Sequence, residues 1–451
     1  MRTLTLLTLL AAPLAAQQAP PAEDARIHEL VRAVSAERIE SDIRTLVTFG
    51  TRNTFSDTLS QTRGIGAARR WIKAEFDRIS ENCGGCLDVF YVSEIYPASR
   101  RIPDTTNVVN VVAIQRGLTD PNRMVMMAGD IDSRNSSGSN ATDSAPGAND
   151  NASGVAGTLE AARQLTKHRF NGSIVYLALS AEEQGLLGGR TVAQYALDSA
   201  WNVQAMLNND MIGNVEGING VIDNMTARVF SDGTPPTETE QARAARRFTG
   251  GEVDGISRQV ARYVDVMADT YVTNLDVLMV YRLDRFGRGG HHRPFADVGF
   301  PAVRIMETNE NYNRQHQNIR VEDGIAYGDV IDGVDFGYAK KLTALNVATM
   351  AALSWAPGPP EAVRVCGANQ ASARLAWDPP ADAGNVAGYR VHWRLTDSST
   401  WDNSRWVGDV TQFTLEGLII DNYFFGVVAV AADGNESVVV FPRSAARGES
   451  C

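Results

Sequence analysis

The sequence predicts an α/β fold: a three-layer α/β/α sandwich around a mixed, mainly parallel sheet, with a small all-β sandwich appended. Three observations predict it. Apolar runs of strand length at 124–128, 173–179, 203–207 and 302–306 read as buried parallel strands, because such strands are covered on both faces. Segments of helical period alternate with them, as a layered α/β domain requires. Beyond the Pro-rich stretch 357–360 the period changes to two, which marks a separate β-domain.

Taken in order, residues 1–16 carry one arginine, a short apolar core and small residues at the end. That is the make-up of a secretory signal, and the core falls short of the roughly 20 residues a membrane span needs. Ile27, Leu30, Val31 and Val34 give one helical face, and Ala67, Trp71, Ile72, Phe76 and Ile79 another. Strands are expected over 108–114 and 124–128. Val155, Leu159, Ala162 and Leu165 predict a helix directly after Gly154. From 217 to about 288 the pattern loosens and reads as an insertion that covers or flanks a site, with helices near 235 and over 256–267. A helix over 342–355 closes the first domain. Segments 374–377, 389–393 and 423–429 alternate as strands of a β-sandwich. The expected division is 1–16 signal, 25–356 first domain, 357–360 linker and 361–446 β-sandwich.

The chain has 451 residues, 21% charged and 44% hydrophobic, with a net charge of −11. No basic stripe offsets that charge, so nucleic acid is excluded as the main partner. Secreted or periplasmic placement follows from the signal, with no stable membrane insertion. Four cysteines in an exported chain suggest two disulfides, with three possible pairings. Cys83 and Cys86 are close enough to pair locally, and Cys366 and Cys451 would then bracket the C-terminal region.

Acidic residues gather where the apolar runs end. Asp130 and Asp132 follow 124–128, Glu182 and Glu183 follow 173–179, Asp210 follows 203–207, and the run 302–306 leads through Glu307 towards His316. Asp150 precedes a helix from a Pro-Gly-Ala-Asn loop. Ligands collect at the carboxyl ends of parallel strands, and so many carboxylates there would repel one another without cations. Asp130, Asp132, Asp150, Glu183, Asp210 and His316 are therefore the candidate metal set, with Asp150 the carboxylate shared between two ions. Adjacent carboxylates just past a strand point different ways, so Glu183 can ligate while Glu182 faces the water as general base.

These motifs (Gly129-Asp130-Ile131-Asp132-Ser133, residues 147–154, 180–185 and 209–213, and His292-Arg293-Pro294-Phe295 ahead of 299–303) resemble those of the M28 family of co-catalytic zinc metallopeptidases, from about residue 50 to 353. Residues from 359 onward are similar to a fibronectin type III domain, with Trp377, Tyr389, Leu418 and Tyr423 at matching places. The resemblance implies a secreted exopeptidase, an aminopeptidase acting on peptide or protein substrates, with two divalent metal ions, zinc foremost. Asp150 would bridge, Glu183 and Asp210 would bind separate metals, His316 would close the set, Glu182 would be the catalytic base, and Asp132 would orient a ligand. Read from the residues alone, His292, Arg304 and Tyr312 are candidate substrate contacts, with loop packing for His292, a buried salt bridge for Arg304 and packing for Tyr312 left open beside them.

Two positions depart from the family pattern. The first ligand there is a histidine, and this chain has Asp130. An all-oxygen position of Asp130, Asp150 and Asp210 is less selective for zinc, so it would hold another metal, hold zinc weakly or stand empty. The closing histidine usually follows the tyrosine directly, whereas here three residues separate Tyr312 from His316. Carboxypeptidase or glutaminyl-cyclase-like chemistry on the same scaffold is one rival. Others are a catalytically silent binding protein and a calcium-stabilised adhesion protein, whose second domain would bind a surface or another protein.

Overall fold

In the computed structural model, which describes residues 18–366, 369–445 and 451, eight strands form one mixed sheet. They are β1 (Leu87–Tyr96), β2 (Thr106–Gln115), β3 (Asp120–Asp130), β4 (Gly172–Leu179), β5 (Asn202–Asn209), β6 (Thr226–Ser231), β7 (Asp276–Val280) and β8 (Ala302–Glu307). The order is β1-β2-β4-β3-β5-β8-β6-β7. The four central strands β4, β3, β5 and β8 are parallel, and antiparallel pairings join β2 to β4 and β8 to β6. The expected α/β class is what the chain adopts. The signal segment 1–16 and the far boundary at 446 lie outside the described residues.

Alternation along the central strands divides the core. Val125 and Met127 of β3 face helices α1 (Ala25–Ala33), α2 (Ala36–Thr48), α3 (Gly64–Asn82), α4 (Gly154–Leu165), α7 (Ile256–Tyr271) and α9 (Phe336–Trp355). Met124, Met126 and Ala128 face α5 (Leu187–Asp198) and α8 (His292–Asp297). Helix α9 is buried nearly all round, so its composition shows no amphipathic stripe.

The region 217–288 flanks the site, as expected, through Arg285, Gly287 and Arg288, but it is built into the sheet rather than inserted beside it. It contributes β6 and β7 to the sheet edge, along with α6 (Glu240–Thr249) and the core helix α7. The outermost strand β7 is short and partly exposed, so its apolar signal is weak. Strand β1 went unpredicted for the same reason: its outer positions are exposed.

After β9 (Arg320–Glu322) and β10 (Ile325–Tyr327), a hairpin, the C-terminal region forms two sheets. One is β15 (Gln412–Leu415), β12 (Ala373–Asp378), β11 (Glu361–Cys366) and β17 (Arg443–Ser444). The other is β14 (Asn403–Gly408), β13 (Gly388–Leu395) and β16 (Tyr423–Val430). Trp377 and Tyr389 pack at 5.4 Å between ring centres in its core. Cys83 pairs with Cys86 and Cys366 with Cys451, the latter with Cα atoms 6.5 Å apart. The sandwich is held against α7 by polar contacts. Asp254 accepts from Arg262 at 2.7 Å and from Arg394 at 2.9 and 2.8 Å, and Trp401 Nε1 donates to Gln259 at 3.0 Å. No described helix is long and apolar enough to cross a membrane.

Candidate metal centre

The site lies at the carboxyl ends of β3, β4, β5 and β8. The loop bearing Asp150 can approach β3 closely because Gly129 lacks a side chain. A Cβ there would meet the Gly154 backbone at 2.3 Å. Buried polar groups hold the loop in place. The Asn149 and Asp150 amides donate to the Asp329 carboxylate at 2.9 and 2.7 Å. Asn149 Nδ2 donates at 2.8 Å to Glu307, whose carboxyl burial pushes well above its ordinary value. Asp150 does not cap α4. The Gly154 amide donates to Asn151 Oδ1 at 2.9 Å, which frees Asp150 to face the site.

His316 Nε2 lies 2.9 Å from Asp150 Oδ2 and 2.8 Å from Glu183 Oε1. The ligand atoms of these three residues all lie within 4.8 Å of one another, the one such group among the described residues. The offset of His316 from Tyr312 therefore does not keep it from the site. One imidazole and two carboxylates on a cleft wall are a donor set that suits a catalytic zinc ion with an open position. Against the effect of burial, Glu183 and Asp150 hold the His316 imidazole up, to about 9. Arg134, which the sequence reading overlooked, packs over the trio. Its Nη2 stands 2.8 Å from His316 Nδ1 and its Nε 3.1 Å from Glu183 Oε2.

Glu182 lies on the same cleft wall as the trio. Burial, then Glu183, Asp210 and Asp130, push its carboxyl well above the ordinary range. Asp132 sits beneath, accepting from the Glu182 and Glu183 amides at 3.1 and 3.2 Å, and burial with Glu183 pushes it up to about 7. Ala181, Met211 and His316 all adopt left-handed backbone, with φ of 59°, 61° and 56°. Strained residues thus cluster at the site, as they do where side chains are held for function.

Of the two other expected ligands, Asp210 lines the same cleft, and each is paired with a side chain of the protein. Asp130 takes a 2.6 Å contact from His291 Nδ1 and accepts from Asn151 Nδ2 at 2.8 Å. Asp210 pairs with Arg304, Nη2 to Oδ2 at 2.5 Å, and the same guanidinium reaches Asp284 at 3.0 Å. Despite burial, Asp210 and Asp284 hold Arg304 above its ordinary value, so it stays charged. Arg304 is therefore no substrate contact, because it is fully buried in these pairs. His292 is also fully buried, with Nε2 donating to the Leu283 carbonyl at 2.7 Å and burial lowering it to about 4. Tyr312 is 53% exposed and lies outside the cleft wall. None of the three expected substrate contacts lines the cleft.

A histidine–carboxylate trio beside a buried glutamate, at the carboxyl edge of a parallel sheet, defines a metal-dependent hydrolase. The sequence matches the profile of peptidase family M28 over residues 110–326 and that of the fibronectin type III domain over residues 358–443. A probable zinc metalloprotease of Leptosphaeria maculans is 42% identical, covering 94% of this chain and 98% of that one. Another from Pyrenophora teres f. teres is 41% identical over 94% of this chain and 88% of its own length. The chain belongs to peptidase family M28 and is a metallopeptidase with an appended fibronectin type III domain. In fold it is similar to the LapA aminopeptidase of Legionella pneumophila (18% identity, TM-score 0.53, 78% of each chain). It is likewise similar to a glutaminyl cyclase of Macrostomum lignano (14% identity, TM-score 0.51, 76% of this chain and 98% of that one).

Proposed function

We propose that this protein is an exported exopeptidase, an aminopeptidase, that works with one divalent cation held by Asp150, Glu183 and His316. The observation that carries the reading is that trio on the cleft wall beside Glu182. The fold it shares with the LapA aminopeptidase supports the choice of substrate end. Zinc at the trio would supply Lewis acidity to a scissile carbonyl and acidify a water. Glu182, kept basic by burial and by neighbouring carboxylates, takes the proton of the attacking water and returns it to the leaving amine. Asp132 positions Glu182 through the two amides it accepts.

The single cation follows from the pairs that occupy the other acids. Arg304 supplies positive charge to Asp210, and His291 with Asn151 satisfies Asp130. On this reading one ion and one guanidinium would stand in place of the two ions expected from the sequence. Substituting Glu182→Gln tests the reading. Hydrolysis of aminoacyl arylamides should fall by at least about a hundredfold, the usual contribution of a general base, with zinc content unchanged. Undiminished turnover would overturn it.

A further inference from the structure

The chain is acidic overall, yet the cleft over the trio is not. That cleft, of about 890 Å³, is lined by seven arginines against five carboxylates, in a protein of net charge −11. Of the carboxylates, Asp150 and Glu183 belong to the trio and Asp210 is paired with Arg304. Only Glu182 and Asp297 remain to balance the arginines.

Four of the arginines are available. Arg100 and Arg101 form the tip of a tight turn closed by Ser99 and Ile102, whose amides and carbonyls exchange hydrogen bonds at 2.7 and 3.1 Å. Ile102 packs on Ala181 and Leu187, so the turn is anchored to the loop that carries Glu182 and Glu183. A Cβ on Gly185 of that loop would find the Arg101 side chain at 4.0 Å. Arg190 on α5 and Arg293 on α8 face the same cleft. Among the described residues, Arg100, Arg101 and Arg190 make no ion pair, while Arg293 donates only to the Arg288 carbonyl and leaves its buried Nε unpartnered. Arg100, Arg101 and Arg190 are exposed at the cleft rim, and guanidinium groups gathered there favour carboxylates, which they bind by paired hydrogen bonds.

We infer that the cleft selects peptides bearing a carboxylate close to the scissile bond, held by Arg100, Arg101, Arg190 and Arg293. The inference rests on the peptidase reading above and adds its substrate class. A carboxylate can come from an acidic side chain or from a free carboxyl terminus. A substrate of the second kind would be cut from its carboxyl end, as a carboxypeptidase does.

The test uses the zinc-loaded Glu182→Gln full chain, so that binding is read without turnover. Three tetrapeptides are titrated calorimetrically: an amide with glutamate at its second position, its glutamine counterpart, and the glutamine peptide with a free carboxyl terminus. At least one carboxylate-bearing peptide should bind about tenfold or more tighter than the neutral amide, the equivalent of one good charged contact. High salt, or the combined changes Arg100→Gln, Arg101→Gln and Arg190→Gln, should erase that gain. A gain confined to the glutamate amide assigns the side chain, and one confined to the free terminus assigns the carboxyl end. Equal binding of all three overturns the inference. Wild-type protein that hydrolyses none of the peptides, while the preference persists, would instead overturn the peptidase reading alone.

Discussion

Arg304 Nη2 stands 2.5 Å from Asp210 Oδ2 and, through Nη1, 3.0 Å from Asp284. This fully buried guanidinium shares two carboxylates at the place where a second cation was expected. Removing one member of a buried charge cluster leaves the others desolvated and uncompensated, at a cost of about 3–5 kcal/mol. Arg304→Met should lower the urea midpoint of the apo protein accordingly. A variant as stable as the wild type would show that the pairs with Asp210 and Asp284 do not form.

A second buried cluster holds the two domains together. Asp254 is shared by Arg262 of α7 and Arg394 of β13, with Arg262 also donating to the Ser399 carbonyl at 2.7 Å. Asp254→Ala leaves two guanidiniums buried between the domains. It should cost on the order of 3 kcal/mol, seen as a lower thermal midpoint and as earlier proteolysis in the linker 357–360. An unchanged midpoint and cleavage rate would refute the coupling.

The stability of the first domain should also depend on pH through Asp265. Burial, then Asp269 and Asp276, raise this carboxyl to about 7 in the folded state, from an ordinary 3.8. The folded state therefore binds the proton more tightly, and stability falls as pH rises from about 4 to about 7, then levels off. Asp265→Asn removes the titration. Allowing for partial solvent screening, the variant should gain about 1–2 kcal/mol at pH 8 and almost nothing at pH 4. Urea unfolding at both pH values measures the difference, and an equal effect at both would contradict it.

Much of this was legible in the chain because strand ends announce themselves. Glu182, Glu183 and Asp150 follow or precede sharp breaks in apolar period, so their convergence with His316 could be read from order and spacing. What engages the remaining acids could not. His291 meets Asp130 across 161 positions and Arg304 meets Asp210 across 94, and nothing local marks either partner. Arg304 lies within an apolar run, where a buried arginine only signals that some acid must compensate it. The arginine-rich cleft was hidden for a related reason. Its members come from a β-turn, two helices and several loops, and they are diluted by a net negative composition. Strands β1, β6 and β7 escaped notice because sheet edges need no continuous apolar run.

The most direct test of the account is a titration of chelator-stripped protein with zinc while peptide hydrolysis is followed in the same sample. In the proposed reading Asp150, Glu183 and His316 hold one cation, and Arg304, paired with Asp210, takes the place of a second. Activity should therefore rise linearly and saturate at one zinc per chain. Saturation at two equivalents, or full hydrolysis with none, would contradict the single-cation centre.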